Sequence, residues 1–414
     1  MAIRGTRHDD NLTGTSGDDV FIMAQRGNDT VSGGDGNDLF RFGQYLTAAD
    51  HIDGGTGDDR VVLDGDYSAG LTFAADTMVN VERLQLFAGH DYTLTMNDGN
   101  VATGERLIVN AAALGNDNHL TFDGSAELDG RFLVYGGAGD DTITGGARAD
   151  TFHLESQGID TVEGGGGNDT FYLGDGLWSD DRIDGGAGTN TLHVTGFSGG
   201  DTLVLSASTL QHVSDFVIDS GSFLAVTTDD GTVAAGATMT FDASAVNTFF
   251  FDGSAETDGS FVVIGGAGED TLTGGAGADS ITGGAAADAL AGGGGADVFH
   301  YGAGSDSTTA AMDTIADFDA GSDAFQLGFP VAFQFEFSSN QGAGNLDADL
   351  NNAILAWGAP SPHFGFVVDF VTSDFAGRSF LVVDSNGNGA YDAGSDLVVE
   401  ITGHSGTVGA GDFI

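Results

Sequence analysis

The chain has 414 residues, with 62 acidic and 11 basic side chains, and its formal net charge at pH 7 is −51. So few basic residues cannot line a phosphate-binding surface, which excludes nucleic-acid binding, and the lack of Cys excludes disulfides and thiolate metal sites. No apolar run approaches the roughly 20 residues of a membrane-spanning helix. Most acidic residues are Asp, and many lie in Gly-rich segments, a pattern that favours binding of a hard cation.

Nine-residue units recur along the chain. From Gly265, five consecutive units carry Asp in their sixth position: GGAGEDTLT, GGAGADSIT, GGAAADALA, GGGGADVFH and YGAGSDSTT. The same frame recurs between residues 5 and 62 and again between residues 136 and 172. The first six residues predict a turn that needs positive φ. The last three predict a short strand whose central apolar residue, such as Phe21 or Ile143, points inward.

A longer period lies on top of the short one. Units of the first copy recur at a constant offset of 131 residues, and a third copy follows the second after 128–129 residues. We therefore divide the chain into two modules, a truncated third module and a C-terminal cap. Their ranges are 1–131, 132–260, 261–306 and 307–414.

The unit GGxGxDxUx resembles the repeat of the RTX family, the hemolysin-type calcium-binding proteins. The resemblance extends over about a third of the chain as strict repeats. It implies an all-β fold, a right-handed parallel β-roll or β-helix solenoid with calcium-binding Gly/Asp turns. It also implies that several Ca²⁺ ions fold the chain outside the cell after type I secretion.

Stacking of successive turns would bring the sixth-position carboxylates within a few Å of each other, where they repel unless a cation lies between them. Ca²⁺ takes six to eight oxygen ligands, which Asp carboxylates and turn carbonyls can supply. At the position equivalent to Asp59 in the second module, Asn190 replaces the expected Asp. The predicted metal ligands of the repeats are Asp10, Asp19, Asp29, Asp38, Asp59, Asp141, Asp150, Asp160, Asp169, Asp270, Asp279, Asp288, Asp297 and Asp306.

Two inserts, residues 63–131 and 195–260, lose the nonapeptide but keep short apolar strands between polar turns. We expect wider β-helix coils that continue the solenoid; a separate globular insert is the alternative. Glu127 and Glu256 recur at equivalent places in the two inserts, and a duplicated turn residue explains them more simply than a catalytic acid.

The C-terminal cap has two features of its own. Residues 345–357 place apolar side chains at helical intervals and predict one short helix across the end of the roll. The segment DSNGNGAYDAGSD resembles an EF-hand calcium loop, with Asp396 in place of the missing acidic residue at the twelfth position. Its predicted metal ligands are Asp384, Asn386, Asn388, Asp392 and Asp396.

The two ends of the chain bear on its export. The opening residues do not resemble a signal peptide, whereas the final HSGTVGAGDFI resembles the uncleaved end of type I secretion substrates. We therefore expect an extracellular or cell-surface protein, exported by a type I route without an N-terminal signal peptide. The type I secretion machinery is then one partner, and no membrane insertion is expected.

An enzyme is not expected. The sequence has no HExxH, which a zinc protease needs. We predict no catalytic residues and no cofactor other than Ca²⁺.

The remaining choice is between a structural and a binding role. The first is a building block that self-assembles head to tail into a layer, filament or matrix, with cell-surface polysaccharide as a candidate anchor. Because little precedes the first repeat at Gly5, we expect that end to dock on another subunit. The alternative is a monomeric adhesin or glycan-binding module, which needs an exposed aromatic cluster. Trp178, Trp357 and few Tyr offer little for one, so the sequence favours the structural role.

Overall fold

The computed structural model describes residues 2–154, 157–174, 177, 180–195, 202–340, 345–356, 362–372 and 374–414. The chain divides into two compact units: Met1–Val194 with Ser208–Asp215, and Thr195–Ala207 with Phe216–Ile414. Among the described residues, no helix is both long enough and apolar enough to cross a membrane.

Short strands dominate the first unit because each repeat allows about three residues between turns. The strands are β1 (Ala2–Arg4), β2 (Asn11–Thr13), β3 (Val20–Ile22), β4 (Thr30–Asp35), β5 (Leu39–Phe42), β6 (His51–Thr56), β7 (Arg60–Leu63), β8 (Tyr67–Thr72), β9 (Met78–Val79), β10 (Arg83–Leu86), β11 (Tyr92–Thr95), β12 (Arg106–Asn110), β13 (Leu120–Asp123), β14 (Arg131–Tyr135), β15 (Thr142–Thr144), β16 (Thr151–His153), β17 (Thr161–Glu163), β18 (Thr170–Leu173), β19 (Arg182–Asp184) and β20 (Thr191–Val194).

These strands and β22 (Leu210–Gln211), which also lies in the first unit, wind as a solenoid. Strand β21 (Thr202–Leu205) belongs to the second unit. In the first unit the strand orders are β1-β3-β5-β7-β10-β12-β14-β16-β18-β20, β2-β4-β6-β9 and β8-β11-β13-β15-β17-β19-β22. The pairings are parallel. Each strand inside these orders therefore pairs with the strand one coil earlier and the strand one coil later.

The core lies inside the coils and consists of the central residue of each strand. Phe21 pairs with Phe40, and Phe40 pairs with Val61. All three side chains are fully buried, and the rings of Phe21 and Phe40 stack with their centroids 4.9 Å apart. The predicted inward orientation of the central apolar residue is confirmed here. Its neighbours point outward because side chains alternate along a strand.

The first insert, residues 63–131, joins the same sheets. Its strands β10 and β12 lie between β7 and β14, and its strands β8, β11 and β13 lead in register to β15. Buried apolar residues such as Leu84, Leu107 and Phe122 fill these coils. The polar loops between the strands are longer than in the repeats, so the coils are wider.

The remaining strands and the helix are β23 (Asp215–Ile218), β24 (Gly221–Thr228), β25 (Thr238–Asp242), β26 (Val246–Asp252), β27 (Ser260–Ile264), β28 (Thr271–Thr273), β29 (Ser280–Thr282), β30 (Ala289–Ala291), β31 (Val298–Tyr301), β32 (Thr314–Ile315), β33 (Ala324–Leu327), β34 (Ala332–Ser339), α1 (Leu346–Ala356), β35 (Phe364–Phe370), β36 (Ser379–Val383) and β37 (Leu397–Glu400). In the second unit, β25-β27-β29-β31-β33 and β21-β24-β26-β28-β30-β32 are again consecutive in their sheets.

The end of the second unit departs from the repeat. β34 and β35 are parallel, whereas β35-β36-β37 is antiparallel. Helix α1 packs Leu350, Ala353 and Ile354 into a cluster with Phe366 and Phe380. The predicted fold class, an all-β parallel solenoid with one short helix near the C-terminus, is confirmed. Trp178 and Trp357 lie outside the described residues.

Candidate metal centres

Each sixth-position Asp links two successive coils. The backbone N–H of Asp19 donates to Asp38 Oδ1 (2.7 Å), and that of Asp38 donates to Asp59 Oδ1 (2.6 Å). This stack ends at Glu82, whose Oε2 accepts from the N–H of Asp59 (2.6 Å). The three Asp residues are at most 1% exposed. The carboxylates are therefore part of the folded backbone scaffold and are not solvated side chains on its surface.

A second stack of the same kind runs through the other set of turns. The N–H of Asp10 donates to Asp29 Oδ1 (2.9 Å), and the N–H of Asp29 donates to Asp50 Oδ1 (2.7 Å). Asp10, in the first coil, is partly exposed and also accepts from the backbone N–H of Thr6 (2.5 Å). Two turns per coil thus give two columns of carboxylates.

The later repeats build the same columns. The hydrogen bonds are 2.7–2.9 Å in the first unit and 2.8–3.1 Å in the second unit. In chain order the columns are Asp141, Asp160 and Asp181; Asp150, Asp169 and Asn190; Asp270, Asp288 and Asp313; and Asp279, Asp297 and Asp323. Asn190 takes the expected position, and its Nδ2 also donates to the carbonyl oxygen of His212 (2.9 Å).

The second carboxylate oxygen of the stacked Asp residues is found in two states. In seven turns it accepts from the N–H four positions earlier, at 2.5–2.8 Å, from Thr6, Thr15, Gly137, Gly146, Gly266, Gly275 and Asp319. In four others Oδ2 is buried and has no hydrogen-bond partner among the described residues: Asp38, Asp59, Asp169 and Asp288. A buried carboxylate oxygen without a donor is costly. A cation would remove that cost.

Backbone oxygens lie close to these turns. Gly34 and Gly55, each the second residue of its unit, have φ of +105° and +98°. A Cβ on Gly55 would collide with the carbonyl oxygen of Gly34, and one on Gly34 would collide with that of Thr15. Carboxylates and stacked turn carbonyls are the ligands that Ca²⁺ prefers. The residues present therefore fit Ca²⁺, which would neutralise the columns when bound.

Burial shifts the protonation of the columns. It raises the pKa of Asp59 to about 6, that of Asp150 and Asp288 to about 7, and that of Asp313 to about 8. Neighbouring carboxylates in the same column raise the pKa of Asp288 and Asp313 further. Near neutral pH the metal-free columns therefore contain both ionised carboxylates, such as that of Asp59, and protonated ones, such as that of Asp313.

The EF-hand-like loop turns around Asp384. Its Oδ1 accepts from the N–H of Gly387 (2.8 Å), and its Oδ2 accepts from the N–H of Gly389 (2.9 Å). Both Gly residues have positive φ, +72° and +78°. The carboxylate is fully buried, so the loop is wrapped around an acidic side chain.

The other predicted ligands of this loop converge with one another. Asn386 Nδ2 donates to Asp392 Oδ2 (3.2 Å) and to Asp396 Oδ1 (3.1 Å), and the amide of Asn388 also donates to Asp392. Asp396 Oδ2 accepts from the N–H of Asp392 (2.7 Å). Burial, and then the nearby Asp384 and Asp392, raise the pKa of Asp396. The amide of Asn386 thus joins Asp392 and Asp396, and the loop also contains the buried carboxylate of Asp384. Carboxylate and amide oxygens in one loop suit an oxygen-ligated cation.

One predicted ligand lies apart from the columns. Asp306 is in a 3-10 turn (Gly304–Asp306) and accepts from the N–H of Ala303 (2.8 Å). Its place in the column belongs to Asp313. Sequence reasoning also missed the column members Glu82, Asp50, Asp181 and Asp323. Each of these Asp residues is followed, two positions later, by a buried apolar residue, and that spacing was the available signal once the Gly turn was lost.

Comparisons with known proteins agree with this arrangement. Residues 151–399 match the family model for the C-terminal part of peptidase M10 serralysin. Four segments match the RTX calcium-binding nonapeptide repeat: residues 4–39, 21–44, 47–67 and 133–155. No curated protein matches the chain. The family matches therefore include the Asp residues of the columns and the whole EF-hand-like loop.

Proposed function

Because this chain belongs to the family of serralysin C-terminal regions with RTX repeats, a secreted, calcium-binding group, we propose that it is a structural protein that self-assembles outside the cell. The suspected RTX resemblance is confirmed. Membership of this family also indicates type I secretion and an extracellular location. The matched serralysin region is non-catalytic, which supports a role other than catalysis.

Two open strand edges carry the proposal. Within the described residues, β1 and β2 each end a sheet order in the first unit. Gly14 N–H donates to the carbonyl oxygen of Ser32, and Thr30 N–H donates to that of Asp10. The backbone N–H and C=O groups of the even-numbered residues 10–14 therefore face β4. The N–H groups of Asn11 and Thr13 then face the open edge. Unpaired strand edges are templates for another chain.

A second edge suits the partner surface. β34 ends the sheet that also contains β35, β36 and β37, and Phe335 on it is 37% exposed. A contact from the β1/β2 edge of one subunit to the β34 edge of the next is heterologous and propagates. Calcium favours such contacts because subunits of charge −51 otherwise repel each other. The product is a filament, layer or matrix.

Assembly can be tested with variants that remove one outward N–H. Thr13→Pro removes a donor at the open edge without removing a bond to β4, and Thr13→Ala is its matched control. Light scattering and negative-stain electron microscopy at millimolar calcium should show polymers for the wild type and Thr13→Ala. Thr13→Pro should assemble far less. A wild-type chain that stays monodisperse with calcium at high concentration contradicts the proposal.

A glycan-binding role is the second candidate, and one observation favours it. Tyr135, His153, Tyr172 and His193 form a partly exposed column on the outer face of β14-β16-β18-β20, with ring centroids 4.6, 4.7 and 4.9 Å apart. The sequence-based argument against an aromatic cluster counted Trp and Tyr residues and overlooked this column. Aromatic side chains bring a large contact area at low entropy cost.

This alternative can be tested by measuring how the wild type and two variants bind to surface polysaccharides. Tyr172→Thr interrupts the column with a residue that neighbouring strands carry at their outer positions, whereas Tyr45→Ser changes a partly exposed Tyr elsewhere. Loss of binding in the first variant alone would support a glycan-binding module. Equal binding by both variants and the wild type would remove it.

A further inference from the structure

The buried carboxylate of Glu127 lies outside the nonapeptide columns, in the turn of residues 124–130. Its side chain is fully buried. Its Oε1 accepts from the N–H groups of Asp129 (3.2 Å) and Gly130 (2.8 Å), so the role of a turn residue is clear. Its Oε2 is buried and has no hydrogen-bond partner among the described residues. One oxygen of this carboxylate therefore has lost its hydrogen bonds to water without gaining a donor from the protein.

Two further carboxylates surround Glu127. One oxygen each of Asp98, Glu127 and Asp129 lies within 4.8 Å of the other two. Asp98 Oδ1 accepts from the N–H of Leu128 (2.9 Å), and Asp129 Oδ2 accepts from Thr103 Oγ1 (2.7 Å). In the described part of the chain, no Arg or His forms an ion pair with any of the three. Three carboxylates so close repel each other, and the burial of Glu127 weakens the screening of that repulsion by water.

We propose that Asp98, Glu127 and Asp129 bind one Ca²⁺ ion, at a site that the RTX repeats do not include. The three carboxylates offer up to six oxygens, and exposed Asp98 leaves room for water to complete the shell. This donor set consists of oxygen alone, as Ca²⁺ prefers, and carboxylates can bind it in mono- or bidentate fashion.

The second insert supplies an internal comparison, since Asp230, Glu256 and Asp258 are the equivalent residues. Glu256 Oε1 accepts from the N–H groups of Asp258 (3.3 Å) and Gly259 (3.1 Å), as Glu127 does. Its Oε2, however, accepts from the N–H of Val233 (3.2 Å).

A second difference affects the neighbouring carboxylate. Asp230 accepts from the hydroxyl of Thr257, at the position where the first insert has Leu128. The carboxylates of the second insert are thus supplied with donors. The site belongs to the first insert alone.

The ion would also act on the adjacent repeats. Ala147 N–H donates to the carbonyl oxygen of Glu127 (2.9 Å), and Gly124 N–H donates to that of Thr144 (2.8 Å). The turn of residues 124–130 therefore stacks directly on the turn that ends at Asp150. A cation at Glu127 would neutralise the charge next to the first carboxylate of that column. It would join the insert to the repeats.

Counting bound calcium tests the site. Wild-type chain, Glu127→Gln, Asp98→Asn and the matched control Glu256→Gln are dialysed at saturating free calcium, and bound calcium per chain is measured by atomic emission and native mass spectrometry. Glu127→Gln and Asp98→Asn should each bind one ion fewer than the wild type. Glu256→Gln should bind the wild-type number.

An unchanged count in folded Glu127→Gln overturns the proposal, as does the loss of one ion in Glu256→Gln. Circular dichroism at saturating calcium reports folding. If Glu127→Gln does not fold, the exposed Asp98→Asn decides, and an unchanged count there overturns the proposal. The assay does not depend on self-assembly, so a chain that binds calcium but stays monomeric contradicts only the proposed function.

Discussion

The backbone N–H of Asp19 donates a 2.7 Å hydrogen bond to the carboxylate of Asp38, one coil further along the chain. Each such carboxylate thus belongs to one turn and holds the turn one coil earlier, and it lies where a cation would be needed. The same carboxylate oxygens hold the coil together and are the predicted ligands of the cation, so folding and calcium binding are coupled.

Calcium removal should unfold the solenoid. At neutral pH the columns bring ionised carboxylates together, and binding stabilises the folded state by RT ln(1 + [Ca]/Kd), about 2.7 kcal/mol per site at 100 Kd. Far-ultraviolet circular dichroism should show a β spectrum in millimolar calcium and a largely unfolded one in excess chelator. A β spectrum that survives complete removal of calcium would contradict this coupling.

Acid should partly replace calcium. Burial raises the pKa of Asp150 to about 7 and that of Asp313 to about 8, whereas an unfolded Asp titrates near 3.9. The folded state then binds more protons, so the stability from these groups is present below about pH 4 and lost as pH rises through 7–8. In chelator, urea denaturation should give a more stable fold at pH 5 than at pH 8. At saturating calcium this difference should shrink or reverse.

The close stacking of turns should make Gly55 irreplaceable. Its φ is +98°, and a Cβ there would collide with the carbonyl oxygen of Gly34. Gly55→Ala should cost about 2 kcal/mol or more, measured by urea denaturation at saturating calcium. Gly17→Ala is the matched control because nothing lies within 4 Å of its Cβ position; it should cost less than about 0.5 kcal/mol. Equal losses in both variants would argue against the close contact.

A pH-dependent contact should secure the C-terminal segment. His404 Nε2 lies 3.8 Å from Asp369 Oδ1 and 4.0 Å from Glu336 Oε1. Asp369 raises the pKa of His404, and burial raises that of Glu336. The stability from His404 is full below about pH 6.5 and is lost as pH rises through its folded pKa. His404→Gln should therefore cost about 1 kcal/mol at pH 6 and less at pH 9. The same loss at both pH values would show a role in packing alone.

The nonapeptide allowed the strands and most of the column to be predicted because each unit places one apolar residue inward, as at Phe21 and Phe152, and one Asp before it. The prediction became inaccurate where the Gly turn ended. Counting in nines leads to Asp306, but Ser307 Oγ donates to the carbonyl oxygen of Val398 and accepts from the N–H of Asp313. Contact with a distant strand thus sets the register there.

The Tyr/His column was missed for a different reason. Tyr135, His153, Tyr172 and His193 share an outer strand position, but their separations in sequence differ by insertions in the intervening turns. Only the pairing of β14, β16, β18 and β20 brings the rings together. The unpartnered oxygen of Glu127 also depends on the exact backbone path, since Glu256 lies in an almost identical sequence and has a donor.

Asn190 gives one coil a different dependence on its surroundings. Its amide accepts from the N–H of Asp169 and donates from Nδ2 to the carbonyl oxygen of His212. Its side chain therefore supplies an acceptor, as the Asp residues of the column do, and also an N–H donor, which a carboxylate lacks. The hydrogen bond from Asp169 to Asn190 adds no negative charge at position 190 and needs no ion there. It can therefore form in the same way in calcium-poor and calcium-rich media. The coil around Asn190 is thus a place where ordered structure can start before the metal binds. The coils that carry a carboxylate at this position can then add to it.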